Sequence, residues 1–260
     1  MPTSPPQIAV TRESLARLEK IARVAGAEIL RHYTPAVSLA LKSDRSPVTA
    51  ADHAAHRSIA SDLAEWDLET PVVSEEGAVP DHAVRASWTR FWLVDPLDGT
   101  REFLQQNGEF TVNVALIEQG DPVLGVVYAP ALDLLYVAGR GLGAWKRERG
   151  SEPRRVTSRP PVPGTPLVVA ESRSHPSAEL EAYLATVPVK ARVQAGSSLK
   201  FCWVAEGKAD MYPRFGRTME WDVAAGDCVF RESGVGAPRR SPLRYNKADL
   251  ANDRFVIGEA

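Results

Sequence analysis

Cysteine is nearly missing from this chain of 260 residues, with Cys202 and Cys228 the only two. Two thiols this far apart in sequence exclude a disulfide framework and a close-spaced zinc or redox motif, and they fit a reducing cytoplasm. Excess charge of one sign is missing too. With 31 Lys and Arg against 33 Asp and Glu, the formal net charge is −2. There is thus no basic blanket for reading duplex DNA, and no nucleic acid polymer is expected as a partner. Long apolar runs are also lacking: none approaches the roughly twenty residues that span a bilayer. The opening Met1-Pro2-Thr3-Ser4-Pro5-Pro6 has no basic region leading into an apolar one. Neither membrane insertion nor secretion is expected, and the expected location is the cytoplasm.

What is present is core-forming material, 44% of the residues, enough for one large domain or two packed lobes. Leu15, Leu18, Ile21, Ala22, Ala25 and Ile29 recur with helical period, and Pro35 lies beyond them. A second helix is predicted to begin near Thr49, because Thr49-Ala50-Ala51-Asp52 reads as a capping box. Strands are predicted at Pro71 to Val73, Phe91 to Val94 and Phe110 to Ile117, the last joined by a Gly120-Asp121-Pro122 turn to Val123 to Tyr128. From Gly150 to Pro166 five prolines interrupt any periodicity, and the boundary between lobes 1–158 and 159–260 is placed there. Beyond it strand and helix alternate, which predicts an α/β lobe after an α+β one.

Chemistry concentrates at Trp92-Leu93-Val94-Asp95-Pro96-Leu97-Asp98-Gly99-Thr100-Arg101-Glu102, where an apolar strand carries two carboxylates into a predicted tight turn and helix start. Asp95, Asp98 and the Leu97 carbonyl suit magnesium, which takes a few protein oxygens and keeps several waters. The same residues also serve as ordinary turn formers and helix caps. An aspartyl-phosphate mechanism of the haloacid dehalogenase type is disfavoured, because two residues separate Asp95 from Asp98 and that mechanism needs its aspartates closer. Glu75 and Glu76 follow the short strand Val72-Val73, where neighbouring carboxylates repel unless water or a cation intervenes. Asp222, after Trp221, is predicted to open a helix, a position that an N-cap role explains by itself. His53 and His56 read as surface residues, and Cys202, Trp203 and Cys228 as core.

Four segments together resemble the motifs of the inositol monophosphatase superfamily in order and approximate spacing. They are Lys42-Ser43-Asp44 with Ser46-Pro47-Val48-Thr49-Ala50-Ala51-Asp52, Ser74-Glu75-Glu76, Asp95-Pro96-Leu97-Asp98-Gly99-Thr100, and Trp221-Asp222-Val223-Ala224-Ala225-Gly226. The likeness runs from about Leu15 to the C-terminus. It implies a layered αβαβα sandwich, with most metal ligands in the first lobe and Asp222 with the nucleotide contacts in the second. Two or three magnesium ions would be held by Glu75, Asp95, the Leu97 carbonyl, Asp98 and Asp222. Thr100 and Asp52 would orient and deprotonate the attacking water, with Glu75 touching the same water. Gly99, Thr100 and Arg101 would offer backbone N–H groups to the phosphate.

Within the superfamily, Asn107–Leu116, Val123–Pro130, Gly196–Cys202, Ala209–Arg214 and Tyr245–Leu250 resemble the 3'(2'),5'-bisphosphate nucleotidases of sulfate assimilation more than the inositol enzymes. That branch implies His175, Ser197, Lys200 and Arg214, beside Asp222, as substrate contacts. It also implies hydrolysis of adenosine 3',5'-bisphosphate to AMP, or of 3'-phosphoadenosine 5'-phosphosulfate to adenosine 5'-phosphosulfate, with lithium sensitivity. An inositol monophosphatase or fructose 1,6-bisphosphatase is the alternative, and a non-catalytic nucleotide-binding protein a more distant one. A homodimer is compatible with the resemblance.

Overall fold

Along strand β2 (Arg90–Asp98), Phe91 and Leu93 are buried in one apolar cluster while Trp92 and Val94 are buried in another. Successive side chains of a strand point to opposite faces, so this sheet is covered on both sides. The computed structural model describes residues 8–34, 47–158, 160–174, 177–237 and 239–258. It places β2 in a seven-stranded sheet between β1 (Val72–Ser74) and β3 (Thr111–Glu118), followed by β4 (Asp121–Ala129), β5 (Leu134–Gly139), β6 (Gly143–Glu148) and β7 (Arg154–Val156). β1 runs parallel to β2, and the remaining neighbours pair antiparallel.

One face is covered by α1 (Arg12–Leu30) and α2 (Pro47–Trp66). Thr11 starts α1 through a capping box: its hydroxyl accepts from the Ser14 N–H, and Ser14 Oγ accepts from the Thr11 N–H. Leu18, Ile21 and Ile29 of α1, with Ile59 and Leu63 of α2, are fully buried against the sheet. Burial of each such side chain contributes roughly 1.5–3 kcal/mol relative to exposure.

The other face carries α6 (Leu199–Ala205) and α7 (Glu220–Glu232), whose Phe201, Ala224, Cys228 and Val229 share a cluster with Phe91, Leu93, Ala115 and Ile117. Close approach depends on Gly125 of β4, where a Cβ would lie 2.6 Å from Cys228 Cβ. Next comes a smaller sheet. In it β8 (Leu167–Ser172) and β9 (Val189–Ala195) are parallel, and β10 (Tyr212–Arg214) pairs with β13 (Phe255–Ile257). A bridge from Val169 to Met211 connects the two pairs. Finally α5 (Ala178–Leu184) packs Leu180 and Leu184 onto Val169 and Met211. The order is helices, large sheet, helices, small sheet, helix, which is the expected αβαβα layering. The short elements α3 (His82–Arg85), α4 (Thr100–Leu104), β11 (Thr218–Met219) and β12 (Ala251–Asn252) complete the fold.

Several expectations need correction. α2 already includes Pro47, so Thr49 and Asp52 lie inside the helix and do not form its capping box. β2 does not turn after Val94; it continues to Asp98, with its register against β3 shifting between Asp95 and Asp98. α7 starts at Glu220, so Asp222 is its third residue, and its carboxylate accepts from the Met219 N–H over 2.8 Å. Three strands, β5 to β7, occupy a stretch to which the sequence pattern assigns none. β5 is buried at every position, as β3 and β4 nearly are.

Candidate active site

The parallel pairing of β1 and β2 brings acidic residues together at two adjacent strand ends. Ser74 lies opposite Val94, and the next N–H, that of Glu75, donates to the Val94 carbonyl at 3.1 Å. Glu75 therefore arrives beside Asp95. The register shift in β2 carries the chain from Asp95, opposite Asn113, to Asp98, opposite Thr111, as bulges commonly do where a strand must re-aim a side chain. The N-terminus of α7 supplies Asp222 from the other side. Carboxylate oxygens of Glu75, Asp95 and Asp222 lie within 4.8 Å of one another.

Such an arrangement is electrostatically unfavourable without a counter-charge. Burial, then repulsion from Asp98 and Glu75, holds the Asp95 carboxyl far above the usual range. Burial and Asp222 push Asp98 up to about 7, although nearby Lys200 opposes the shift. Asp222 is pushed to about 6, chiefly by burial. Asp52, buried in α2 with Glu76 and Glu75 as acidic neighbours, is pushed up to about 8, and its Oδ1 has no hydrogen-bond partner among the described residues. Converging oxygen donors with repulsion among them are what a hard divalent cation corrects. The residues fit a metal.

The carboxylates of Glu75, Asp95, Asp98 and Asp222 line a cavity of about 330 Å³. Glu75, Asp95, Leu97, Asp98, Gly99, Thr100, Arg101 and Asp222 all face it, and so do Ser197, Lys200 and Arg214 from the second half of the chain. Asp52 is not part of this lining. Gly99 holds the left-handed conformation (φ 92°), and a Cβ there would lie 2.2 Å from Ser197 Oγ. Thr100 and Arg101 are exposed in the first turn of α4, and Arg101 donates to the Ser174 carbonyl at 2.6 Å. Lys200 is 4% exposed and donates to the Ala195 and Ser197 carbonyls at 3.3 and 2.5 Å. Burial pushes its ammonium down to about 8. Arg214 donates to the Gly216 carbonyl. His175 lies outside the described residues.

The model of the inositol monophosphatase family matches residues 11–257. The chain belongs to the inositol monophosphatase family. Among curated relatives, it is 50% identical over 243 residues to the 3'(2'),5'-bisphosphate nucleotidase CysQ of Escherichia coli K12, covering 92% of this chain and 96% of that protein. Among solved structures, CysQ from Bacteroides thetaiotaomicron superposes with a TM-score of 0.80 at 40% identity, over 96% of this chain and 97% of that one. An inositol monophosphatase from Zymomonas mobilis superposes with a TM-score of 0.77 at 22% identity, over 97% and 95% of the two chains, and speaks to the fold alone. As a member of this family, the chain is a metal-dependent phosphatase.

Other residues facing this cavity carry no local sequence signal. Buried Glu102 accepts from Ser174 Oγ at 2.6 Å and faces the cavity, as do Ser172, Tyr212, Arg217 and Thr218. His53, read as a surface residue, is exposed, with Nδ1 3.0 Å from Glu76 Oε2; His56, read likewise, is half-buried and lies 2.9 Å from Ser74 Oγ. Asn113 offered the one readable signal, a polar side chain inside the apolar run Val112-Asn113-Val114-Ala115-Leu116. It is fully buried.

Proposed function

We propose that this phosphatase is a 3'(2'),5'-bisphosphate nucleotidase, removing the 3'-phosphate of adenosine 3',5'-bisphosphate to give AMP and acting likewise on 3'-phosphoadenosine 5'-phosphosulfate. Identity with the E. coli nucleotidase across nearly its full length carries this reading. A cavity with carboxylates on one wall and Lys200 and Arg214 on the other supports it. A substrate bearing two phosphates needs cationic donors away from the metal ligands.

Magnesium is the metal we assign, held by Glu75, Asp95, Asp98, Asp222 and the Leu97 carbonyl. Bound there, divalent cations supply Lewis acidity to water and phosphoryl oxygen. The chain's own groups do the rest. Asp52 takes the proton of the attacking water, relayed by the Thr100 hydroxyl, and Glu75 orients that water. Backbone N–H groups of Gly99, Thr100 and Arg101 hold the scissile phosphate. Lys200 has three N–H donors and spends two on carbonyls, leaving one for the second phosphate. Ser197, Arg214 and His175 complete that subsite. The lobes 1–158 and 159–260 then meet at the cavity.

No helix among the described residues is long and apolar enough to cross a membrane, and we place the enzyme in the cytoplasm. The reading is tested by the identity of the nucleoside product from adenosine 3',5'-bisphosphate, separated by chromatography. It requires AMP with a free 3'-hydroxyl, formed with magnesium, suppressed by chelator and inhibited by millimolar lithium. Accumulation of adenosine 3'-phosphate would overturn it.

A further inference from the structure

Three buried polar side chains form a hydrogen-bonded chain between Asp98 and the Asp222 backbone carbonyl. Thr111, Asn113 and Ser198 are each no more than 2% exposed. Thr111 Oγ1 bonds to Asn113 Oδ1 at 3.0 Å, and Asn113 Nδ2 lies 3.1 Å from Ser198 Oγ and 3.4 Å from Asp98 Oδ2. Ser198 Oγ reaches the Asp222 backbone carbonyl at 2.5 Å.

Donor roles follow by elimination. A carbonyl oxygen can only accept, so Ser198 gives its single proton to Asp222. Ser198 must then accept from Asn113, which fixes the amide nitrogen toward Ser198 and Asp98 and the amide oxygen toward Thr111. The second amide proton is left for the Asp98 carboxylate. One side chain thus spans a carboxylate delivered by β2 and, through Ser198, the first turn of α7 that carries Asp222.

We propose that Asn113 is a positioning residue for the cation site, setting the separation between the Asp98 and Asp222 carboxylates through its bonds to Asp98 and Ser198. The inference rests on the reading of Asp98 and Asp222 as cation ligands. Asn113 touches neither substrate nor the reacting atoms. Its action is to hold ligands that converge from two different elements, so that a cation meets a preformed set. Partners behind a metal ligand typically affect metal affinity by about 10–100-fold.

The test is calorimetric titration of the full chain with magnesium chloride, using Asn113→Leu, which keeps shape without the donor, Ser198→Ala, and the double variant. Thermal melts in chelator establish which variants fold. Asn113→Leu is expected to weaken magnesium binding at least about tenfold. Ser198→Ala is expected to weaken it severalfold, and the double variant no further than Asn113→Leu, since both act in one chain of bonds. Folded Asn113→Leu binding magnesium within about twofold of wild type would overturn the inference. If that variant does not fold, unchanged affinity in Ser198→Ala overturns it. Wild-type protein that binds no magnesium would instead sink the ligand assignment beneath it.

Discussion

Ser197 donates its hydroxyl to the Asp98 backbone carbonyl over 2.8 Å, which fastens the residue before Ser198 and α6 to the end of β2. Ser197 holds a left-handed conformation (φ 49°), and Lys200 Nζ donates to its carbonyl. Gly99 lies directly beneath, with no room for a side chain. Gly99→Ala is therefore expected to break this fastening, through both its positive φ and a clash with Ser197 Oγ. Phosphate release should fall at least about a hundredfold while stability falls by only about 1–3 kcal/mol. Wild-type turnover in this variant would show that the Ser197–Asp98 bond is dispensable.

Asp98→Asn separates ligation from folding. It removes one charge from a half-buried group that neighbouring carboxylates repel, so metal-free protein at alkaline pH should melt no lower than wild type. Turnover should fall at least about a thousandfold, even with saturating metal. Paired melting and phosphate-release assays check both halves.

The pH dependence of metal-free stability has a definite sign. Asp222, Asp98 and Asp52 are pushed up in the folded protein to about 6, about 7 and about 8, from an ordinary value of 3.8. Within that window the folded protein binds more protons than the unfolded chain, so stability falls as pH rises. The contribution is whole below 3.8 and is lost as pH passes up through about 8. In chelator, the melting temperature should drop between about pH 5 and about pH 8.5, and magnesium should restore it most at the upper end. A melting temperature that climbs through this window in chelator would contradict the account.

Lys200→Met tests the second-phosphate subsite. The variant loses the buried ammonium and its bonds to Ala195 and Ser197. Its KM for adenosine 3',5'-bisphosphate should rise at least about tenfold, with a smaller change for adenosine 3'-phosphate, which lacks the second phosphate. Equal losses on both substrates would reduce Lys200 to a support for Ser197.

Outside the cavity lining, Arg85 of α3 is 2% exposed and donates to Asn246 Oδ1 and to the Lys247, Ala248 and Pro80 carbonyls. The same loop gives the Asn246 and Lys247 N–H groups to Glu220, which is fully buried at the start of α7. Arg85→Ala orphans several acceptors at once and should cost about 2–4 kcal/mol in urea unfolding. A loss below about 0.5 kcal/mol would show the loop to be held by other means.

Much of this site was legible because its carboxylates sit next to breakers and strand ends that announce themselves: Glu75 after Val72-Val73, and Asp95 and Asp98 around Pro96 and before Gly99. Helix α1 and the β3–β4 hairpin were legible for a similar reason, since periodic apolar residues end at clear turn signals. What was hidden depends on pairing between distant segments. Asp98 opposite Thr111, and Asn113 beside Ser198, are consequences of register and of the start of α6 meeting β3, and no local pattern encodes either. The capping-box reading of Thr49 to Asp52 failed because α2 extends past those residues toward the N-terminus.

The most direct measurement is magnesium-dependent phosphate release from adenosine 3',5'-bisphosphate, inositol 1-phosphate and fructose 1,6-bisphosphate in parallel, with Asp98→Asn as control. The account predicts a clear preference for the nucleotide, expressed as kcat/KM, and no release by the control. Preference for inositol or sugar phosphate would keep the metal chemistry and contradict the substrate assignment.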